Sequence, residues 1–285
     1  MDVCSRRKSS ANTEVAESSH PRRRGATVSL SEQGLPLTGE RTVPGIAREN
    51  YWFRRHEAVY EWIRSSGIAG VVVEAGCGEG YGAELLRQAG TEVIAVDYDE
   101  TAVSHVSARY PEVSAVRANL VDLPLDDGCA DLLVSLQVIE HLWDLAGFFR
   151  EAHRVLRPGG RIVVSTPNRL TFSPGLRRGE KPTNPFHVEE FDADQIAPLL
   201  TEAGFVDPRT FGLFLGPRLT EMEADRGPLV QRQVDAILAE EWPEQLDADV
   251  AAVTVTDFTV ELLDENPDLA PSSLDLIGTA RKAGG

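Results

Sequence analysis

The sequence predicts an α/β protein with a mostly parallel sheet and helices on both faces. Three observations predict it. Apolar strand segments alternate with segments of helical period from residue 70 onward. A glycine-rich turn, Glu74-Ala75-Gly76-Cys77-Gly78-Glu79-Gly80-Tyr81-Gly82, follows the first strand and opens a helix. An acid, Asp97, ends the next strand, where open α/β sheets bind their ligands.

Each element has its own signal. Phe53, Val59, Tyr60 and Ile63 recur at roughly helical spacing ahead of the sheet. Gly70–Glu74 (GVVVE) is β-branched without alternation, as in a strand buried on both faces. A helix over Gly82–Ala89, a strand over Glu92–Asp97, a helix over Glu100–Tyr110 and a short strand over Val113–Ala118 follow. The pattern continues with a strand (Ala130–Leu136), a helix (Leu145–Val155), a strand (Gly160–Thr166), a helix (Asp192–Ala203) and a strand (Phe205–Leu215). Residues 216–271 are acidic. Leu229, Val234, Ile237 and Leu238 make the segment amphipathic, so it is expected to be a helical insertion serving as a lid or dimer surface. Ser273–Arg281 is the last strand, expected at the sheet edge.

Bulk properties bound the function. The chain has 285 residues, enough for one large domain, expected over residues 31–285. Residues 1–30 are rich in Ser, Arg and Pro and read as a disordered, basic tail. The formal net charge of −17 repels phosphate backbones and disfavours nucleic acid as a partner. Cys4, Cys77 and Cys129 are widely spaced and build no disulfide framework or cysteine-rich metal site. No apolar run approaches the ~20 residues of a membrane span, and the basic N-terminus lacks the apolar region of a secretory signal. No membrane partner and a cytoplasmic location are expected.

The candidate ligand residues lie at the carboxyl ends of the strands. Gly76, Gly78 and Gly80 let a ligand approach the backbone closely. Glu74 would be awkward beside a pyrophosphate but suits the ammonium group of a methionine moiety. Asp97 can accept hydrogen bonds from both hydroxyls of a ribose, as it would also in a dinucleotide site. Asn119 and Leu120 suit the edge and face of an adenine, although Asn119 is also a good turn residue. Gln137 ends the strand that leads into Ile139-Glu140-His141.

The segments VVVEAGCGEGYG, VIAVDYDE, ANLVDLPL, VIEHL and VLRPGGRIVVSTPN resemble, in order and spacing, the successive motifs of class I S-adenosylmethionine-dependent methyltransferases. They cover about residues 70–168. The resemblance implies a Rossmann-like sheet with an antiparallel C-terminal edge strand and S-adenosylmethionine as cofactor. It places the glycine loop on the amino-acid moiety, Asp97 on the ribose, and Asn119 and Leu120 about the adenine. LTGERTVPG, ENYWFRRH, QVIEHLWD, STPNRLTFSPG and NPFHVEEF are similar to actinobacterial sugar O-methyltransferases, those of methylmannose polysaccharide synthesis in particular. This implies a sugar or oligosaccharide acceptor, methylated at the 1-OH of a 3-O-methylated mannoside. Residues 37–66 would then cover the donor and residues 216–271 the acceptor, with a homodimer as one expected assembly. A small phenol or quinone precursor is the alternative acceptor, and a non-catalytic donor-binding protein the alternative class.

An alcohol is a weak nucleophile at neutral pH and needs a base or a metal. His141 is the candidate base, with Asp144 three residues on to orient its ring if the turn is helical. A positioning role for the Glu140-His141 pair is the other reading. Glu140, His141 and the distant His187 are also candidate ligands of a divalent metal such as Mg2+. Some class I methyltransferases use a Glu–His pair here with a later His. Their fuller pattern has a second Glu where this chain has Gln137, and two imidazoles suit Mg2+ poorly. His56 reads as part of an amphipathic entry segment.

Overall fold

The computed structural model describes residues 41–87 and 91–285; the expected tail, and the first four residues of the segment 37–66, lie outside the described residues. Eight strands are described: β1 (Gly70–Ala75), β2 (Thr91–Asp97), β3 (Ser114–Arg117), β4 (Ala130–Leu136), β5 (Leu156–Pro167), β6 (Phe205–Leu215), β7 (Phe258–Leu262) and β8 (Asp275–Lys282). They form one sheet in the order β3-β2-β1-β4-β5-β8-β6-β7. The first five pair in parallel and the last three antiparallel.

Alternation along β1 builds two cores. Val71, Val73 and Ala75 face one side and pack with Phe148, Phe149 and Val155 of α4 (Leu145–Val155) and Ile196 of α6 (Ala193–Glu202). Val72 faces the other side, with Val59, Tyr60 and Ile63 of α1 (Asn50–Ser65), Leu86 of α2 (Tyr81–Leu86) and Val106 of α3 (Glu100–Arg109). Burial on both faces is what the unbroken β-branched run required.

The structure corrects the C-terminal half in two respects. β8 is antiparallel, as expected, but it is not the edge: it lies between β5 and β6, and β7 is outermost. Residues 216–271 are not wholly helical either. They hold α7 (Pro217–Arg226), α8 (Leu229–Leu238) and α9 (Glu244–Ala251), then the edge strand β7. Only one residue of β7, Phe258, is buried, which is why periodicity did not reveal it. The insertion grips the start of α1: Asn50 Nδ2 donates to the carbonyls of Val250 and Val253, both at 2.9 Å. Among the described residues no helix is long and apolar enough to cross a membrane.

One buried ion pair ties α1 to the sheet. Arg55 Nε donates to Asp275 Oδ2 at 2.7 Å, and a second guanidinium nitrogen bonds Oδ1 of the same carboxylate. The two side chains are 3% and 0% exposed. The guanidinium lies 4.5 Å from the ring of Phe172, in the short helix α5 (Arg169–Phe172). Gln137 Nε2 donates to Asp275 Oδ1 at 3.1 Å. Removing one partner of such a pair strands the other charge away from water. Arg55→Met should therefore cost about 3–5 kcal/mol in chemical denaturation, and Arg55→Met with Asp275→Leu should recover part of that loss. A single-variant cost below about 1 kcal/mol would show that water reaches the carboxylate.

Candidate active site

A cavity of about 730 Å3 opens at the carboxyl ends of the parallel strands. Its walls include Gly76, Gly78, Asp97, Asn119, Leu120, Gln137, His141 and Asp144. The structure thus brings most of the sequence-predicted residues into one space.

The glycine loop has φ > 0 at Gly76, Gly78 and Gly80, but for different reasons. A Cβ on Gly78 would meet nothing within 4 Å, so it would project into the open cavity. A Cβ on Gly76 would strike Val138, and one on Gly80 would strike Val106 of α3. Gly80 does not line the cavity; α3 packs against it and leaves no room for a side chain. Asp97 is held from both sides: Gly78 N donates to Oδ2 and Asp99 N to Oδ1, each at 2.9 Å. That fixes its carboxylate at the end of β2, facing the cavity. Asn119 serves as both turn and wall, since its Oδ1 accepts from Val121 N at 3.2 Å.

Glu74 does not itself line the cavity. It is 1% exposed, and Oε1 accepts from Tyr60 Oη at 2.6 Å. Burial pushes its carboxyl up to about 8. Tyr60 does line the cavity, so Glu74 acts on it through the phenol. Sequence reasoning named none of Tyr60, His56, Tyr81 and Glu79 as site residues, although His56 and Tyr60 fall in the expected donor-covering segment 37–66; all four line the cavity. His56 Nδ1 lies 3.0 Å from Tyr81 Oη, and burial lowers its pKa to about 3, so the ring is neutral. The signal for these residues was the run ENYWFRRH one helical turn from Tyr60. Arg41 and Thr42 also line the cavity. Arg41 bonds Asp99 Oδ2 at 2.8 Å and holds that carboxyl down at about 2, which ties Arg41 to the turn after β2.

The insertion is not a wall of this space. Phe186 lines the cavity, but among the described residues none from 216–271 does. That segment packs against the start of α1.

A 3-10 turn, Ile139–His141, follows β4 and carries the second group. Glu140, His141 and His187 come together, with one ligand atom of each within 4.8 Å of the others. Glu140 is 1% exposed; Oε2 accepts from Thr166 Oγ1 at 3.0 Å and Oε1 lies 3.9 Å from His141 Nε2. His141 Nδ1 lies 3.0 Å from the Phe186 carbonyl. A carbonyl accepts only, so Nδ1 carries a proton. His187 Nδ1 contacts Glu190 Oε1 at 2.8 Å and Nε2 lies 3.1 Å from Asn184 Nδ2. Asp144 takes another part. The chain leaves the turn at Leu142, and Asp144 Oδ1 accepts from Gly147 N at 2.8 Å as the N-cap of α4. The His141 ring meets the Phe186 carbonyl, the Glu140 carboxylate and, edge to face at 5.1 Å between centroids, the His187 ring. Gln137 is turned away from this cluster, toward Ser165 Oγ and Asp275, in the left-handed region at φ 56°.

Comparison with known proteins agrees with this geometry. Residues 73–164 match the methyltransferase domain family. A probable S-adenosylmethionine-dependent methyltransferase of Mycobacterium tuberculosis is 53% identical over 248 residues, spanning 86% of this chain and 89% of that one. A ubiquinone biosynthesis O-methyltransferase of Pseudomonas aeruginosa is 32% identical over 119 residues, 38% of this chain and 50% of that enzyme. A solved S-adenosylmethionine-dependent methyltransferase from Thermotoga maritima shares the fold at a TM-score of 0.55 and 18% identity, over 81% of this chain and 93% of that one. The chain belongs to the S-adenosylmethionine-dependent methyltransferases, and S-adenosylmethionine is its methyl donor.

Proposed function

We propose that this methyltransferase acts on oxygen, transferring the donor methyl group to a hydroxyl of a sugar acceptor, the 1-OH of a 3-O-methylated mannoside in methylmannose polysaccharide synthesis. The observation that carries O-methylation is the meeting of Glu140, His141 and His187 beside the donor cavity, with His141 on its wall. A methyl transfer needs the acceptor oxygen in line with the sulfonium, and that oxygen must shed its proton. His141, on the wall of the cavity, is placed to take it. The matching stretch of the ubiquinone biosynthesis O-methyltransferase supports oxygen as the acceptor atom. The sugar rests on the resemblance of LTGERTVPG, ENYWFRRH and NPFHVEEF to sugar O-methyltransferases.

The donor is held by this chain's own groups. Asp97 faces the ribose, Asn119 and Leu120 flank the adenine, and Gly76–Gly78 run past the amino-acid end. Tyr60, held by Glu74, and the His56–Tyr81 pair wall the same space.

The cluster also fits a divalent cation. Burial pushes the Glu140 carboxyl up to about 8, so its charge lacks solvation and gains from a cation beside it. Each candidate ligand has an outer partner that fixes it: Thr166 for Glu140, the Phe186 carbonyl for His141, Glu190 for His187. A cation held by Glu140, His141 and His187 would supply Lewis acidity toward the acceptor hydroxyl. Two imidazoles and one carboxylate suit Mn2+, Co2+ or Zn2+ better than Mg2+.

Two experiments test this reading. Labelled S-adenosylmethionine supplied with manno- and gluco-oligosaccharides and a catechol should label the mannosides, with the position read by NMR. Transfer to the catechol alone would replace the sugar by the phenolic acceptor. Turnover should fall after EDTA treatment and return with one transition ion. Full turnover after chelation and dialysis would leave His141 as base without a metal.

A further inference from the structure

The tryptophans of this chain are placed in two ways. Trp52, Trp62 and Trp242 are partly buried and pack on the core. Trp143 is 90% exposed, and Phe186 beside the same cavity is 54% exposed. Neither sits on a loose segment. His141 N donates to the Val138 carbonyl at 3.0 Å just before Trp143, and the Asp144 cap fixes the chain just after it. Phe186 N donates to Asn184 Oδ1 at 3.0 Å, and its carbonyl meets His141 Nδ1 at the same distance. Two large apolar faces are thus held in water on backbone that is anchored to the His141 cluster. Core packing does not account for them.

We propose that Trp143, with Phe186, is the platform on which the acceptor's second sugar ring stacks while the reacting ring sits beside His141. This rests on the sugar-acceptor reading above. Trp143 follows His141 by two residues, so their Cα atoms are at most about 7 Å apart. A single ring at His141 does not need that reach, whereas the neighbouring ring of a glycan does. A pyranose offers a C–H face to an indole and a rim of hydroxyls to the polar groups around it, here Asp144 and Asn119. A membrane is a poorer occupant, because the net charge of −17 is repelled by anionic lipid. Trp143 would thus set acceptor length and affinity without touching the transferred methyl group.

The test compares 3-O-methylmannose with the disaccharide bearing it at the reducing end, both with a free 1-OH. In the wild type the disaccharide should have a KM roughly tenfold lower, the scale of one aromatic stack. Trp143→Ala should erase most of that preference, and Trp143→Phe should keep most of it. Affinity for S-adenosylhomocysteine, measured by calorimetry, should be unchanged in both variants, which also shows that they fold. Trp143→Ala with the wild-type preference would overturn the platform and leave the acceptor standing. A wild type with equal KM values would also overturn it. A wild type that methylates neither sugar would remove the acceptor reading, and the platform with it, before any variant is made.

Discussion

The buried pair between Arg55 and Asp275 holds the working end of this molecule together. Their positions are 220 residues apart in sequence, yet the contact is bidentate and nearly dry. Arg55 is on α1, whose next turn carries His56 and Tyr60 into the donor cavity. Asp275 opens β8, which is wedged between β5 and β6. The carboxylate also receives Gln137, the residue that turns the chain from β4 into the His141 cluster. One wall of the cavity, the C-terminal strand and the turn before the His141 cluster therefore share one anchor. A pair so dry stabilises little in total, but it costs much if half is lost, and it fixes register. Asn50 adds a second clamp, holding the start of α1 to the insertion.

That anchor bears on the cluster around His141. A glutamate at position 137 would bring a second negative charge against Asp275. The amide avoids this and donates instead. Gln137 keeps a left-handed backbone at modest strain, secured by its own N–H to the Ser165 carbonyl at 2.9 Å. Gln137 thus stays with Ser165 and Asp275, and the residues that meet in the cluster are Glu140, His141 and His187.

Much of the parallel half was legible in the sequence, because period and turn chemistry act locally there. The β-branched run Gly70–Glu74, the glycine loop and the acid at Asp97 each announce one element and one surface. The meeting of Glu140 and His141 with His187 was also foreseen, although 46 residues separate the last two. Long-range packing was not legible. Nothing local says that β8 inserts inside the sheet, that β7 becomes the edge, or that the insertion braces α1. Glu74 and Gly80 carry the motif, but burial under Tyr60 and contact with Val106 give them supporting parts. His56 and Tyr60 were hidden for the converse reason: an amphipathic helix face looks the same whether it meets core or ligand.

The central claim is that His141 stands at the reacting oxygen rather than at the nucleoside. His141→Ala, compared with the wild type in transfer kinetics at saturating donor and acceptor, tests it most directly. The account predicts a kcat lower by roughly 10²–10⁴-fold, with affinity for S-adenosylhomocysteine close to that of the wild type. A wild-type kcat in His141→Ala, or a loss carried wholly by weakened donor binding, would contradict it.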